Sequence, residues 1–207
     1  MHLLCTLFNV VCTKPLSLMK KIAILASGEG TNAEQIIKHF ASNNIAKTTV
    51  VLTNSPQAGV IHRAKSLHVP VEILTPKEFK EGKAIELLRN YQVEFIVLAG
   101  FLLHIPNNIL DNYPNKIVNI HPSLLPKFGG KGMYGKYVHE AVLASNESES
   151  GITIHYVNEH YDEGNIILQV QCPVIPNDTP KTLADRVHQL EYKYYPDTIE
   201  RILNEKG

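Results

Sequence analysis

The chain has 207 residues, 44% of them hydrophobic and 19% charged, which fits one globular domain with a core of ordinary size. Lys plus Arg and Asp plus Glu number 20 each, so there is no basic field to attract nucleic acid, and no nucleic-acid partner is expected. No run of about 18 or more apolar residues occurs, so no membrane contact is expected, and three cysteines without metal spacing point to a reducing compartment, the cytoplasm.

Residues 1–18 are apolar over 1–11 and then carry Lys14-Pro15. They lack the basic start and small-residue cleavage site of a signal peptide, and read as an N-terminal extension outside the fold. The domain is expected over 19–207, from Met19-Lys20-Lys21-Ile22 onward. Residues 22–26 form a short, almost wholly apolar run, as in a strand buried on both faces. Asn32 is placed to cap a helix over 33–41, with Ile36, Ile37 and Phe40 on one face. A β-branched run over 48–53 predicts the second strand. A helix over 57–67, a short strand over 71–74 and a helix over 77–91 follow. An apolar strand over 95–99, a short helix over 105–113 and a fifth strand over 116–120 complete the alternation.

Strand and helix in alternation predict a doubly wound, mostly parallel twisted sheet in one α/β domain. After the fifth strand the pattern changes. Gly129, Gly130, Gly132 and Gly135 predict a flexible loop, followed by a short helix over 138–144. Strands over 151–157 and 166–173 are joined too closely for a crossover, so they predict an antiparallel hairpin. Asp178-Thr179-Pro180 starts a long C-terminal helix towards Leu203, with a kink expected at Pro196.

Ligands of such sheets bind beyond the carboxyl ends of the strands, and three segments of interest fall there. The first is Asn119-Ile120-His121-Pro122. Residues i and i+2 of a strand share a face, so Asn119 and His121 leave the strand end together. An amide donor beside a group that titrates near neutrality suits acyl transfer, although a capping Asn and a structural His would look the same locally. The second is Ser27-Gly28-Glu29-Gly30-Thr31-Asn32, a glycine turn opening a helix, where backbone amides can hold an anion. With Ala33 it matches the dinucleotide fingerprint G-x-G-x-x-A, but Thr53-Asn54-Ser55 ends the second strand without a carboxylate, which favours a ribose-phosphate over NAD. The third is Leu98-Ala99-Gly100-Phe101-Leu102-Leu103-His104-Ile105, an apolar wall with exposed backbone that suits a flat aromatic ligand.

Asp162 sits in the hairpin turn His160-Tyr161-Asp162-Glu163-Gly164. Folded back over the sheet edge, it would reach His121 and raise the imidazole pKa. His155 reads as a packed strand histidine. The histidines at 121, 139, 155 and 160 match no compact metal motif, so no metal is expected.

Together these residues resemble the folate-dependent phosphoribosylglycinamide formyltransferase family, from about Lys20 to Leu203. The resemblance rests on S-G-x-G-T-N at 27–32, L-A-G-F at 98–101 and N-I-H-P-S-L-L-P at 119–126. It extends to G-I-T-I-H-Y-V at 151–157 with the D-x-G turn at 162–164, and R-V-x-x-x-E at 186–191. It implies the formyltransferase fold and metal-free transfer of a formyl group from 10-formyltetrahydrofolate to the amine of 5-phosphoribosylglycinamide. It further implies small-molecule partners only, acting on a monomer or weak homodimer.

By that resemblance Asn119, His121 and Asp162 are the catalytic trio. Gly30, Thr31, Asn32, His188 and Glu191 would bind the phosphoribosyl substrate. Leu102, Leu103, His104, Ile105, Asn119, Asn158, Glu159, His160, Tyr161 and Asp162 would line the folate pocket, and Lys80 or Lys83 would meet the folate tail. The chain departs from the family in the longer, glycine-rich loop over 128–135. Two other readings remain at this stage: another formyl-folate transferase or hydrolase of the same superfamily, and a non-catalytic nucleotide-binding module using only the 27–32 loop.

Overall fold

A computed structural model describes residues 19–205, so the reading of residues 1–18 as an extension lies outside the described residues. Five parallel strands carry the first half: β1 (Lys20–Leu25), β2 (Ala46–Thr53), β3 (Val71–Ile73), β4 (Phe95–Leu98) and β5 (Ile117–His121). Two antiparallel strands, β6 (Glu149–Tyr156) and β7 (Ile166–Pro173), extend the sheet to the order β3-β2-β1-β4-β5-β6-β7. β1 pairs with β2 on one side and β4 on the other, so the strand order reverses there and opens a crevice at the carboxyl ends.

Both faces of the sheet are covered because its strands are apolar on both sides. Along β1, Ile22 and Ile24 pack with α1 (Thr31–Ala41), α2 (Val60–Ser66), α6 (Lys136–Ala144) and the long α7 (Pro180–Glu205). Ala23 and Leu25 point the other way, towards α3 (Pro76–Lys80), α4 (Lys83–Asn90) and α5 (Asn107–Leu110). β5 follows the same alternation and then departs from it. Val118 and Ile120 join the first core and Ile117 the second, but the next two positions on the second face are Asn119 and His121. The sheet thus exchanges hydrocarbon for two polar groups at one strand end.

Four sequence expectations are corrected. The helix expected over 77–91 is two helices, because Gly82 lies in the left-handed region at φ 103°, which an α-helix cannot continue through. The helix expected over 105–113 shrinks to Asn107–Leu110, as Tyr113 precedes Pro114 and that position disfavours helix. The helix expected from residue 57 starts only at Val60. Asn32 does not cap α1: the N-cap is Gly30, at φ 74°, and no side chain caps the helix. The C-terminal helix does run past Pro196, which lies inside it. Its buried Tyr195 hydroxyl sits 2.8 Å from the Leu98 carbonyl oxygen and 3.2 Å from that of Val118, bracing the ends of β4 and β5 from below.

Candidate active site

β5 extends one residue further than expected, so His121 is itself in the strand and shares its face with Asn119. The antiparallel register sets His155 opposite Asn119 and Thr153 opposite His121. His155 is therefore a member of the site, not only a packed strand histidine. Its Nδ1 lies 2.9 Å from the Tyr156 carbonyl and so carries the ring hydrogen, leaving Nε2 to accept from Asn119 Nδ2 at 3.2 Å. This fixes which way the Asn119 amide points. Residue spacing carried no signal for this, since it follows from the register of β6 on β5.

The turn between β6 and β7 brings in Asp162. Gly164 permits it, because a Cβ there would lie 1.6 Å from the Tyr156 carbonyl oxygen. Asp162 adopts a left-handed backbone, φ 58°, a conformation that aspartate tolerates better than most residues. Its Oδ2 sits 3.4 Å from His121 Nδ1, and its Oδ1 lies 3.4 Å from Asn119 Nδ2 and 3.6 Å from His155 Nε2. The amide of Gly130 donates to Oδ2 at 2.8 Å, so the glycine-rich loop is tied over the carboxylate. Burial pushes the Asp162 carboxyl up, but the Gly130 amide together with His155 and His121 in their protonated forms outweigh it and hold the group below its ordinary value. Asp162 is therefore an anion at neutral pH.

His121 goes against the sequence expectation. Burial pushes its pKa down, and the upward pull of Asp162 and the Phe128 carbonyl does not overcome that. His121 is 4% exposed, and its ring loses the water that would solvate a cation. Its Nε2 donates to the Phe128 carbonyl oxygen at 2.7 Å. Beyond the strand, Thr153 anchors the loop that follows His121. Its hydroxyl donates to the Ser123 carbonyl at 2.7 Å and accepts from the Leu125 amide at 3.0 Å.

The second end of the site is the start of α1. The Cβ of an alanine at position 30 would lie 2.4 Å from Val60 Cβ, so only glycine fits the close packing of this turn against α2. With no side-chain cap, the first amides of α1 are left for an anion. The freed Asn32 side chain donates instead to Glu191 Oε2 on α7 at 2.8 Å, while its Oδ1 is buried without a partner. Burial raises the Glu191 pKa against the opposing pull of Asn32 and His188. Ser27 ties this end to the next: its hydroxyl donates to Asn54 Oδ1 at 2.5 Å and accepts from the Leu102 amide at 2.9 Å.

Both ends open into one cavity of about 800 Å³. Gly30, Thr31, Asn32, His188 and Glu191 all line it, as do Asn119, His121 and Asp162. So do Leu102, Leu103, His104, Ile105, Asn158, His160 and Tyr161. Glu159 does not; its carbonyl oxygen accepts from His104 Nε2 at 2.9 Å and so links the two loops of that wall. His104 and Tyr161 meet edge to face with ring centres 4.9 Å apart. Lys80 and Lys83 are not in the lining, and Lys83 is paired with Glu78 at 2.6 Å. His139, His155, Tyr192 and the loop residues Lys131, Met133 and Tyr134 line the cavity without having been singled out as ligand contacts. Among the described residues no group of three or more His, Cys, Asp or Glu side chains converges to hold a metal ion. No helix there is long and apolar enough to cross a membrane.

Comparison with known proteins agrees with this geometry. Residues 20–199 match the family model described as formyl transferase. The chain is 42% identical over 195 residues to the chloroplastic phosphoribosylglycinamide formyltransferase of Arabidopsis thaliana, covering 90% of this chain and 66% of that protein. It thus spans just under two thirds of that plant relative. It is 40% identical over 197 residues to the phosphoribosylglycinamide formyltransferase of Bacillus subtilis, covering 91% of this chain and 98% of that one. The crystal structure of phosphoribosylglycinamide formyltransferase from Bacillus halodurans superposes with a TM-score of 0.83 at 36% identity, covering 91% of this chain and 97% of that one. With a matching family model over most of its length and a relative covered almost end to end, the chain belongs to the formyl transferase family.

Proposed function

We infer that the protein transfers the formyl group of 10-formyltetrahydrofolate to the amine of 5-phosphoribosylglycinamide, in purine biosynthesis. One observation carries the reading: Asn119, His121 and an ionised Asp162 converge within 3.4 Å contacts in the same cavity that opens onto the uncapped start of α1. The phosphate would rest on the amides of Gly30, Thr31 and Asn32, where the helix dipole favours an anion. Glu191 and His188 would meet the ribose end. The folate would occupy the wall of Leu102, Leu103, His104, Ile105, Asn158, His160 and Tyr161, whose apolar faces and exposed backbone fit a flat ring system. Cytoplasmic action as a monomer or weak homodimer completes the proposal. It is supported by the few cysteines and by the scatter of exposed large apolar residues outside the cavity lining: Ile73 on β3, Tyr137 on α6, Ile166 at the start of β7 and Ile175 beyond its end.

The amine nitrogen attacks the formyl carbon, a C–N bond forms, and negative charge develops on the formyl oxygen. Asn119 Nδ2 can donate to it by giving up its 3.4 Å contact with Asp162 Oδ1, and His121 Nε2–H by leaving the Phe128 carbonyl. The amine then loses a proton. Asp162 and His121 relay it towards N10 of the folate, whose bond to the formyl carbon breaks. The imidazole is cationic only while it holds this proton between Nδ1 and Asp162. The test is consumption of 10-formyltetrahydrofolate with and without 5-phosphoribosylglycinamide. Turnover that depends on the amine is expected; full turnover without it would mean hydrolysis instead.

A further inference from the structure

One histidine of the cavity has no part in that scheme. His139 lies on α6, directly after the glycine-rich loop. It lines the cavity and is 2% exposed. Its Nδ1 is buried without a hydrogen-bond partner, and among the described residues no protein group bonds either ring nitrogen. Burial, with His188 and His121 close by, holds its pKa down to about 4, so the ring is neutral at physiological pH. α6 packs against α7, which carries His188 and Glu191, and His139 lines the same cavity as those two residues and His121. A leucine would fill this space without leaving polar atoms unsatisfied, whereas the imidazole keeps Nε2, the ring nitrogen that the protein does not seal, without a protein partner at the cavity.

We propose that His139 is a substrate-positioning residue, whose imidazole donates a hydrogen bond to the carbonyl oxygen of the glycinamide arm. The inference rests on the formyl-transfer reading above. The arm joins the ribose to the reacting amine, and its carboxamide oxygen is its one strong acceptor. A neutral imidazole has a single N–H. Buried N–H groups without acceptors are rarer than under-used acceptors, so the hydrogen belongs on Nε2. That leaves sealed Nδ1 as a bare lone pair and presents the donor on the nitrogen left for the cavity. Holding the carbonyl there would fix the amine near the formyl carbon, and an uncharged ring adds no positive charge beside it.

Steady-state kinetics of the full chain with each substrate varied in turn would test this. His139→Leu should raise KM for 5-phosphoribosylglycinamide about 10- to 100-fold, the loss expected for one buried hydrogen bond to a ligand. KM for 10-formyltetrahydrofolate should stay within roughly twofold, since His139 is placed at the other ligand. His139→Asn retains an N–H donor and should recover most of the loss. If the leucine variant does not fold, His139→Phe keeps a planar ring, removes the donor and makes the same comparison. A folded Leu or Phe variant with unchanged KM for the amine substrate would overturn the proposal. So would equal rises for both substrates, or an Asn variant no better than Leu. Wild-type protein without amine-dependent turnover would instead remove the formyl-transfer reading on which the proposal stands.

Discussion

At the residue scale the site is a contest between burial and charge. A carboxylate beside an imidazole ordinarily raises its pKa, and the sequence led to that expectation for Asp162 and His121. Which influence wins depends on how far water is excluded, and that is a property of the closed loop and the β5–β6 pairing, not of residue spacing. With His121 4% exposed, burial dominates. The imidazole of the ligand-free protein should therefore titrate below the ordinary histidine value of about 6.5, as followed by its ring-proton NMR shifts. Asp162→Asn removes the upward pull, so it should move the His121 titration further down, not up. A wild-type titration above 6.5 would mean that the carboxylate prevails. The parity of Asn119 and His121 was readable from i and i+2 alone. The role of His155 was not, because it follows from strand register.

At the element scale, the start of α1 shows why a cap cannot be read from residue type alone. Asn32 is a common N-cap residue, yet the left-handed Gly30 ends the turn two residues earlier. That shift frees the Asn32 amide for Glu191 and leaves the helix start open. Gly30→Ala should cost about 2 kcal/mol or more in chemical denaturation, combining left-handed strain with the clash on Val60. Gly28→Ala should cost far less, since nothing lies within 4 Å of the added carbon. Equal losses for the two variants would contradict this account of the turn. The strands were the most legible elements, since apolar runs and β-branched residues mark them directly. The break between α3 and α4 was hidden because Phe79 on one side of Gly82 and Ala84 and Leu88 on the other all enter the same core, and apolar residues do not report a backbone angle.

At the scale of the whole molecule, alternating elements predicted the doubly wound sheet, and its strand order places all three segments of interest around one reversal point. The antiparallel pair β6 and β7 completes the site, by delivering Thr153, His155 and Asp162 across the edge of β5. The cavity is thus shared between the parallel half, which offers the anion end, and the hairpin, which offers the carboxylate. The central claim is that this convergence does chemistry rather than only binding. It is tested most directly by comparing kcat for formyl transfer in wild-type and His121→Ala protein, with 10-formyltetrahydrofolate affinity measured alongside. The account predicts a fall in kcat of about 10²- to 10⁴-fold with affinity nearly unchanged. A variant that binds the folate and turns over at close to the wild-type rate would contradict it.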